Sequence, residues 1–227
     1  IAEDTHQRIY GHHVVLSRCG VAIVGRSRRL TLNYRTTAEN LAYAMRVLDG
    51  GTYVDAEGVD EDVAGYHSSR RGPAPTTLAC ASESEQLDKV AALIEAWVAD
   101  ESVDPGSVAV LARTNDRAAA VRDALAKRGV PANHIKSAQA GGDRVVTLTM
   151  HTAKGMEFSR VVLFDITDGV VPNAWVLDKA SPEEREDVML RERSLLYVAA
   201  SRARDALVIT WNGNPSPLLA PTNRDEN

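Results

Sequence analysis

The chain has 227 residues and a mass of 24.6 kDa, 44% apolar and 25% charged, which suits one large domain, or one domain with extensions, around a single core. A net charge of −5 excludes a surface coated in positive charge, so any contact with nucleic acid must be a local groove. No apolar run approaches the ~18 residues that cross a bilayer, and Cys19 and Cys80 match neither a disulfide framework nor a metal-ligand spacing. A reduced, cytoplasmic setting with no membrane partner is the expectation. The chain opens at Ile1 with no Met, no basic start and no cleavage site, the pattern expected of a fragment of something longer.

Short β-branched runs alternate with longer amphipathic ones along the sequence. A strand is predicted at Arg29–Leu32, and a helix capped by threonine follows at Ala38–Leu48. Gly50–Pro75, rich in Gly, Asp and Ser, is expected to be a long connection holding at most one short helix. A strand at Thr77–Ala81 leads to a helix at Ser84–Asp100, where Leu87, Val90, Ile94, Trp97 and Val98 form one stripe. The strand Val108–Ala112 precedes a helix at Asp116–Arg128, stopped by Gly129 and Pro131. Strands at Val145–Met150 and Val161–Asp165 follow. Ser181-Pro-Glu-Glu184 has the form of a capping box, opening a helix that runs to about Arg204, and the last strand is Ala206–Thr210. Nearly continuous apolar strands separated by helices imply βαβ units, hence an α/β fold with a parallel sheet covered by helices on both faces.

Ligands of such sheets sit at the carboxyl ends of strands, where Asn33–Arg35, Arg113–Asn115 and His151–Lys154 are expected to fall. Arg35 is either a surface cation after a strand or a planar fork aimed at a phosphate oxygen, with Tyr34 beside it offering a ring face. His151 and Lys154 precede Gly155, which permits close backbone approach; the alternatives are a polar helix start and a phosphodiester contact. No second ligand stands at metal spacing from His151, and the side chains of adjacent His12 and His13 diverge. Arg202 and Arg204 are expected to close the last helix, where cations meet the dipole. Arg202 also ends a run of small residues that lets a helix end approach another surface, as an arginine acting on a phosphoryl group must. No G-x-x-x-x-G-K-[ST] loop occurs in the sequence.

Asp4–Gly11, Asn33–Thr37, Val110–Asn115, Thr149–Phe158 and Glu192–Ala203 resemble, in order, the later motifs of the UvrD/Rep/PcrA-like superfamily 1 DNA helicases. The resemblance runs from the first residues to about Thr210. It implies a RecA-like second motor domain at residues 25–212, preceded by the end of a first such domain at 1–24 and followed by a frayed tail at 213–227. The implied cofactor is ATP, with Mg held by the absent N-terminal RecA-like domain, and the implied partners are that domain and single-stranded DNA. By the resemblance, Gln7 senses the γ-phosphate, Tyr34 stacks on adenine, Gly155 and Glu157 lie at the nucleotide, with Glu157 on the ribose, and Arg35 and Arg202 reach the phosphate. Tyr10, Arg113, Thr149 and His151 fall near the DNA strand.

The sequence departs from the family pattern in three ways. It lacks the phosphate loop and the metal-binding acidic motif, so the chain is expected to be inactive alone. His12 stands where an aromatic is usual. Only Pro131–Asp143 occupies the place of the large accessory domain. A nucleoid-associated role in repair or recombination is what the family implies. The alternatives are the helicase part of a nuclease-coupled enzyme and a non-catalytic domain that kept the fold.

Overall fold

The residues at 108–112, 145–149 and 158–163 are mostly apolar and almost all buried, as strands laid side by side with helices above and below. The structure, a computed structural model, describes residues 4–10, 19–21, 30–55, 57–61, 65–137 and 142–219. His12, His13, most of the expected first-domain remnant and the end of the expected tail lie outside the described residues.

In chain order the elements are β1 (Leu32–Asn33), α1 (Ala38–Val47), β2 (His67–Ser68), β3 (Thr76–Cys80), α2 (Glu83–Val98), β4 (Val108–Ala112) and α3 (Asn115–Ala126). They continue with β5 (Ala132–His134), β6 (Val145–Thr149), β7 (Phe158–Leu163), α4 (Ala174–Lys179), α5 (Arg185–Ala200) and β8 (Ala203–Asn212). Six strands form one sheet in the order β3-β8-β7-β4-β6-β5, every neighbouring pair parallel. Period-two alternation splits its side chains between two cores. Ala109, Leu111, Leu148, Val161 and Leu163 pack with α1 and α5 on one face, while Val108, Val110, Val162, Phe164 and Val208 pack with α2 and α3 on the other. The α/β sheet with helices on both faces is thus present as the sequence implies.

Threonine and serine caps set the helix starts. Thr37, Ser82 and Thr114 each accept a backbone N–H from the first turn of α1, α2 and α3. At the expected capping box the return bond forms, from Ser181 N–H to Glu184 Oε2 at 3.1 Å, and α5 begins later, at Arg185.

Several expectations are corrected. The first strand is Leu32–Asn33 and lies outside the main sheet, paired with β2; Arg29 is not among the described residues. The strand expected at Val161 begins at Phe158, because Ser159 and Arg160 hide an edge-to-edge apolar register: Ser159 is buried on Ser107, and Arg160 lies over the Trp97 ring. The last helix ends at Ala200, and Arg204 is already in β8. Pairing of Ala203 with Phe158 draws the backbone into the sheet there, which competes with another helical turn. Among the described residues of Gly50–Pro75 there is no helix, only β2 and an isolated bridge between Val54 and Asp60. No described helix is long and apolar enough to cross a membrane.

Candidate functional site

Two groups of polar residues stand at opposite ends of the sheet. Glu157 directly precedes β7 and Arg202 directly precedes β8, and the two parallel strand starts are tied by the Phe158 N–H donating to Arg202 O at 3.0 Å. Arg35 joins them from outside the sheet. Asn33 Oδ1 accepts the N–H groups of Arg35 and Thr36 at 2.7 and 3.3 Å, which curls the chain into a tight turn. The Thr36 hydroxyl then donates to Ala203 O at 2.5 Å, fixing that turn one residue beyond Arg202. As a result Arg35 Nε meets Glu157 Oε1 at 2.7 Å, with both side chains open to solvent.

Arg202 differs from Arg35 in being buried. Its guanidinium donates to Val198 O at 3.0 Å, Met156 O at 3.2 Å and Ser201 Oγ at 2.9 Å. Burial lowers its pKa; Tyr197 and Glu157 oppose that shift, and the like charge of Arg35 adds to it. Arg35 and Arg202 thus place two like charges near the Glu157 carboxylate, which pairs directly with Arg35. This cluster lies at the amino ends of β7 and β8, so the expected location at carboxyl ends is wrong for Arg35. Its turn follows β1, which is not part of the main sheet.

Tyr34 is exposed beside Arg35. Gly155 has φ +85°, a conformation that a side chain disfavours, with open space where a Cβ would be. Gln7 closes a short 3-10 turn, Thr5–Gln7, and its side chain is held by Asp4 at 2.6 Å. Its carbonyl accepts Lys154 Nζ at 2.8 Å, so this segment is docked on the residues between β6 and β7.

The second group stands at the carboxyl ends of β4 and β6, as expected. Tyr10 is exposed, with its ring centroid 5.8 Å from that of His151, and Lys154 Nζ lies 5.6 Å from the tyrosine centroid. A groove of about 270 Å³ opens beside Tyr10, walled by Thr5, Arg8, Tyr53, Leu190 and Ser194. Arg113 is not presented to solvent. Its Nε donates to Glu192 Oε2 at 3.0 Å and its Nη2 to Oε1, and the two side chains are only 11% and 6% exposed. Thr149 is also buried, its hydroxyl accepting the Thr152 N–H at 3.0 Å and so shaping the turn that presents His151. The structure therefore gathers Tyr10, His151 and Lys154 at a surface and places Arg113 and Thr149 beneath them. Glu192, the partner that sequence reasoning missed, lies inside a quoted motif but 79 residues from Arg113.

Burial and the Arg113 charge lower the His151 pKa, against a smaller upward pull from Glu192. A histidine lowered in the folded state binds fewer protons than in the unfolded chain. Its contribution to stability is therefore full above the ordinary value near 6.5 and lost as pH falls through it. A proton NMR titration is expected to place the imidazole below that value. Thermal midpoints of the wild type should drop more steeply than those of His151→Gln between pH 7 and pH 5; parallel curves would contradict the assignment. Among the described residues no cluster of His, Cys, Asp and Glu could hold a metal ion.

The all-parallel sheet with helices on both faces defines an α/β domain, with an arginine-rich cluster at its amino ends and a polar aromatic one at its carboxyl ends. Residues 136–214 match the model of the UvrD-like helicase C-terminal domain. Over 89 residues it is 38% identical to the ATP-dependent DNA helicase PcrA of Bacillus subtilis, covering 39% of this chain and 11% of that protein. It is 37% identical over 79 residues to the helicase Rep of Buchnera aphidicola, covering 35% and 11%. With UvrD2 of Mycobacterium tuberculosis it shares 35% over 115 residues, covering 49% and 16%. The chain thus spans 11–16% of the length of these relatives. The solved C-terminal domain of a possible DNA helicase from Lactobacillus plantarum shares the fold, with a TM-score of 0.58 at 23% identity over 85% of this chain and 95% of that one.

Proposed function

We propose that this chain is the second motor domain of an ATP-dependent DNA translocase, completing from one side an ATP site whose phosphate loop lies on another domain. Bound ATP would supply the phosphoryl group and its developing charge. Arg35 and Arg202 bind and neutralise that charge, Gln7 reports on the γ-phosphate, and Tyr34 offers its exposed face to the adenine. Glu157 would release Arg35 to the phosphate and turn to the ribose, with Gly155 keeping the backbone close. Any Mg would be held by the other domain. At the opposite end of the sheet, Tyr10 and His151 stack on bases of a single strand, and Lys154 faces its phosphates. Arg113 and Thr149 support that surface from below. Stacking on aromatics is sequence-tolerant, which suits a motor that must pass every base.

The observation that carries this reading is the path of residues 150–157. They leave the carboxyl end of β6 beside Tyr10 and arrive at the amino end of β7 as Glu157, against Arg35. One short connection therefore touches both groups. The similarity to the ATP-dependent DNA helicases Rep and PcrA supports the same reading. Tyr10→Ala is expected to weaken binding of a fluorescent oligonucleotide by about 1–3 kcal/mol, the value of one aromatic–base stack, measured by anisotropy on the full-length protein. Unchanged affinity would remove the strand from this end of the sheet. Because Tyr10 is exposed, the thermal midpoint should not move.

A further inference from the structure

The Arg35 turn lies outside the six-stranded sheet, so something must hold it at a fixed distance from Arg202. After α1 the chain returns to this end of the molecule at residues 67–72, where one side chain spans two segments. Arg70 Nη1 donates to Arg35 O at 2.6 Å and to Arg204 O at 3.4 Å, while Nη2 donates to Asp205 Oδ1 at 2.6 Å. The backbone around it is tied to the same turn. Ser68 Oγ donates to Thr36 O at 2.6 Å, Ala38 N–H to Arg70 O at 2.8 Å, and Gly72 N–H to Glu39 Oε2 at 2.9 Å. The packing is close enough that a Cβ on Gly72 would come within 2.5 Å of Thr37 Cγ2.

We propose that Arg70 is a positioning residue: its guanidinium straps the backbone of Arg35 to the first residues of β8 and so sets the separation of Arg35 from Arg202. Its role in turnover rests on the ATP reading above, whereas the strap itself does not. A planar fork with several donors can span three acceptors on two segments; an ammonium on a flexible stem cannot hold them at once. Asp205 is a fit anchor. Burial pushes its carboxyl up, but the hydrogen bonds and charges of Arg204 and Arg70 outweigh this and hold it below the usual range, ionised. Residues 68–72 lie outside the motifs singled out in the sequence.

The test has two arms. In the 227-residue chain, hydrogen exchange at Arg35–Ala38 is expected to quicken about tenfold in Arg70→Ala, as loss of a charge-assisted bond implies, with β4 and β6 amides unchanged. Arg70→Lys and Asp205→Asn should fall between wild type and Arg70→Ala. In the full-length protein, Arg70→Ala should lower kcat for strand-stimulated ATP hydrolysis about tenfold while KM for the strand holds, because the strand site is at the other end of the sheet. Unchanged exchange at Arg35–Ala38 would overturn the strap. Faster exchange with undiminished turnover in Arg70→Ala, when the separate Arg35→Ala variant is inactive, would overturn the positioning role. If Arg35→Ala itself leaves turnover intact, the ATP reading of Arg35 is what fails, and the exchange result alone decides for or against the strap.

Discussion

Arg202→Lys in the full-length protein is expected to cut strand-stimulated ATP turnover by ~10³-fold or more, the scale on which an arginine acting on a transferring phosphoryl group contributes. Lysine is the informative replacement because the structure shows what alanine would also remove. The Arg202 guanidinium satisfies the carbonyls of Val198 and Met156 at a buried position, so truncation strands acceptors as well as deleting the charge. Arg202→Ala should therefore cost about 1–3 kcal/mol of stability in addition to activity. Sequence reasoning alone would expect that variant to fold normally. Turnover measured beside a melting curve separates the effects: a lysine variant with near-native melting and near-native turnover would remove Arg202 from the ATP site.

The largest effect on stability is expected at Glu192. Its carboxylate meets Arg113 through two hydrogen bonds and also accepts the Asn173 N–H at 3.1 Å, the residue that caps α4. Removing one partner of a buried ion pair leaves an uncompensated charge, and Glu192→Ala or Arg113→Ala should each cost about 3–5 kcal/mol in urea unfolding. Replacing both with apolar residues of similar volume should restore most of that loss, because the desolvation of both charges is then avoided. A double variant as unstable as either single one would mean that the pair stabilises the fold outright. Loss of the pair should also loosen the platform beneath His151, whose lowered pKa depends in part on the Arg113 charge.

The elements most legible in the sequence were those whose burial is continuous. The apolar runs at β4 and β6 have no exposed residue, and the strand expected at Val108–Ala112 coincides with β4. β5, three residues long, is too short to display a period. α5 was overrun because Ser201, Arg202 and Ala203 suit a helix locally, and only the non-local pairing with Phe158 takes them out of it. The sequence named the candidate residues but little of their geometry. Arg35 pairs with Glu157, and Arg202 stands near enough to feel both charges, yet the rule placing ligands at carboxyl ends misdirects for a turn that reaches the sheet from a separate two-stranded piece. Arg113 reads as a surface cation because its acid is on a helix 79 positions away. Arg70 carries no local signal at all, since each of its acceptors comes from a distant segment.

The connection from β6 to β7 is short and is anchored along its length. Eight residues, Met150 to Glu157, must recross a five-residue strand, and part of their length is spent in the turn after His151. Fully drawn out they would reach about 27 Å, against about 16 Å for the strand they span. Met150 and Ala153 are pinned in the core along the way, with no side-chain area left to solvent. Those two buried anchors flank the imidazole and precede the carboxylate, so both side chains take their positions from the same core.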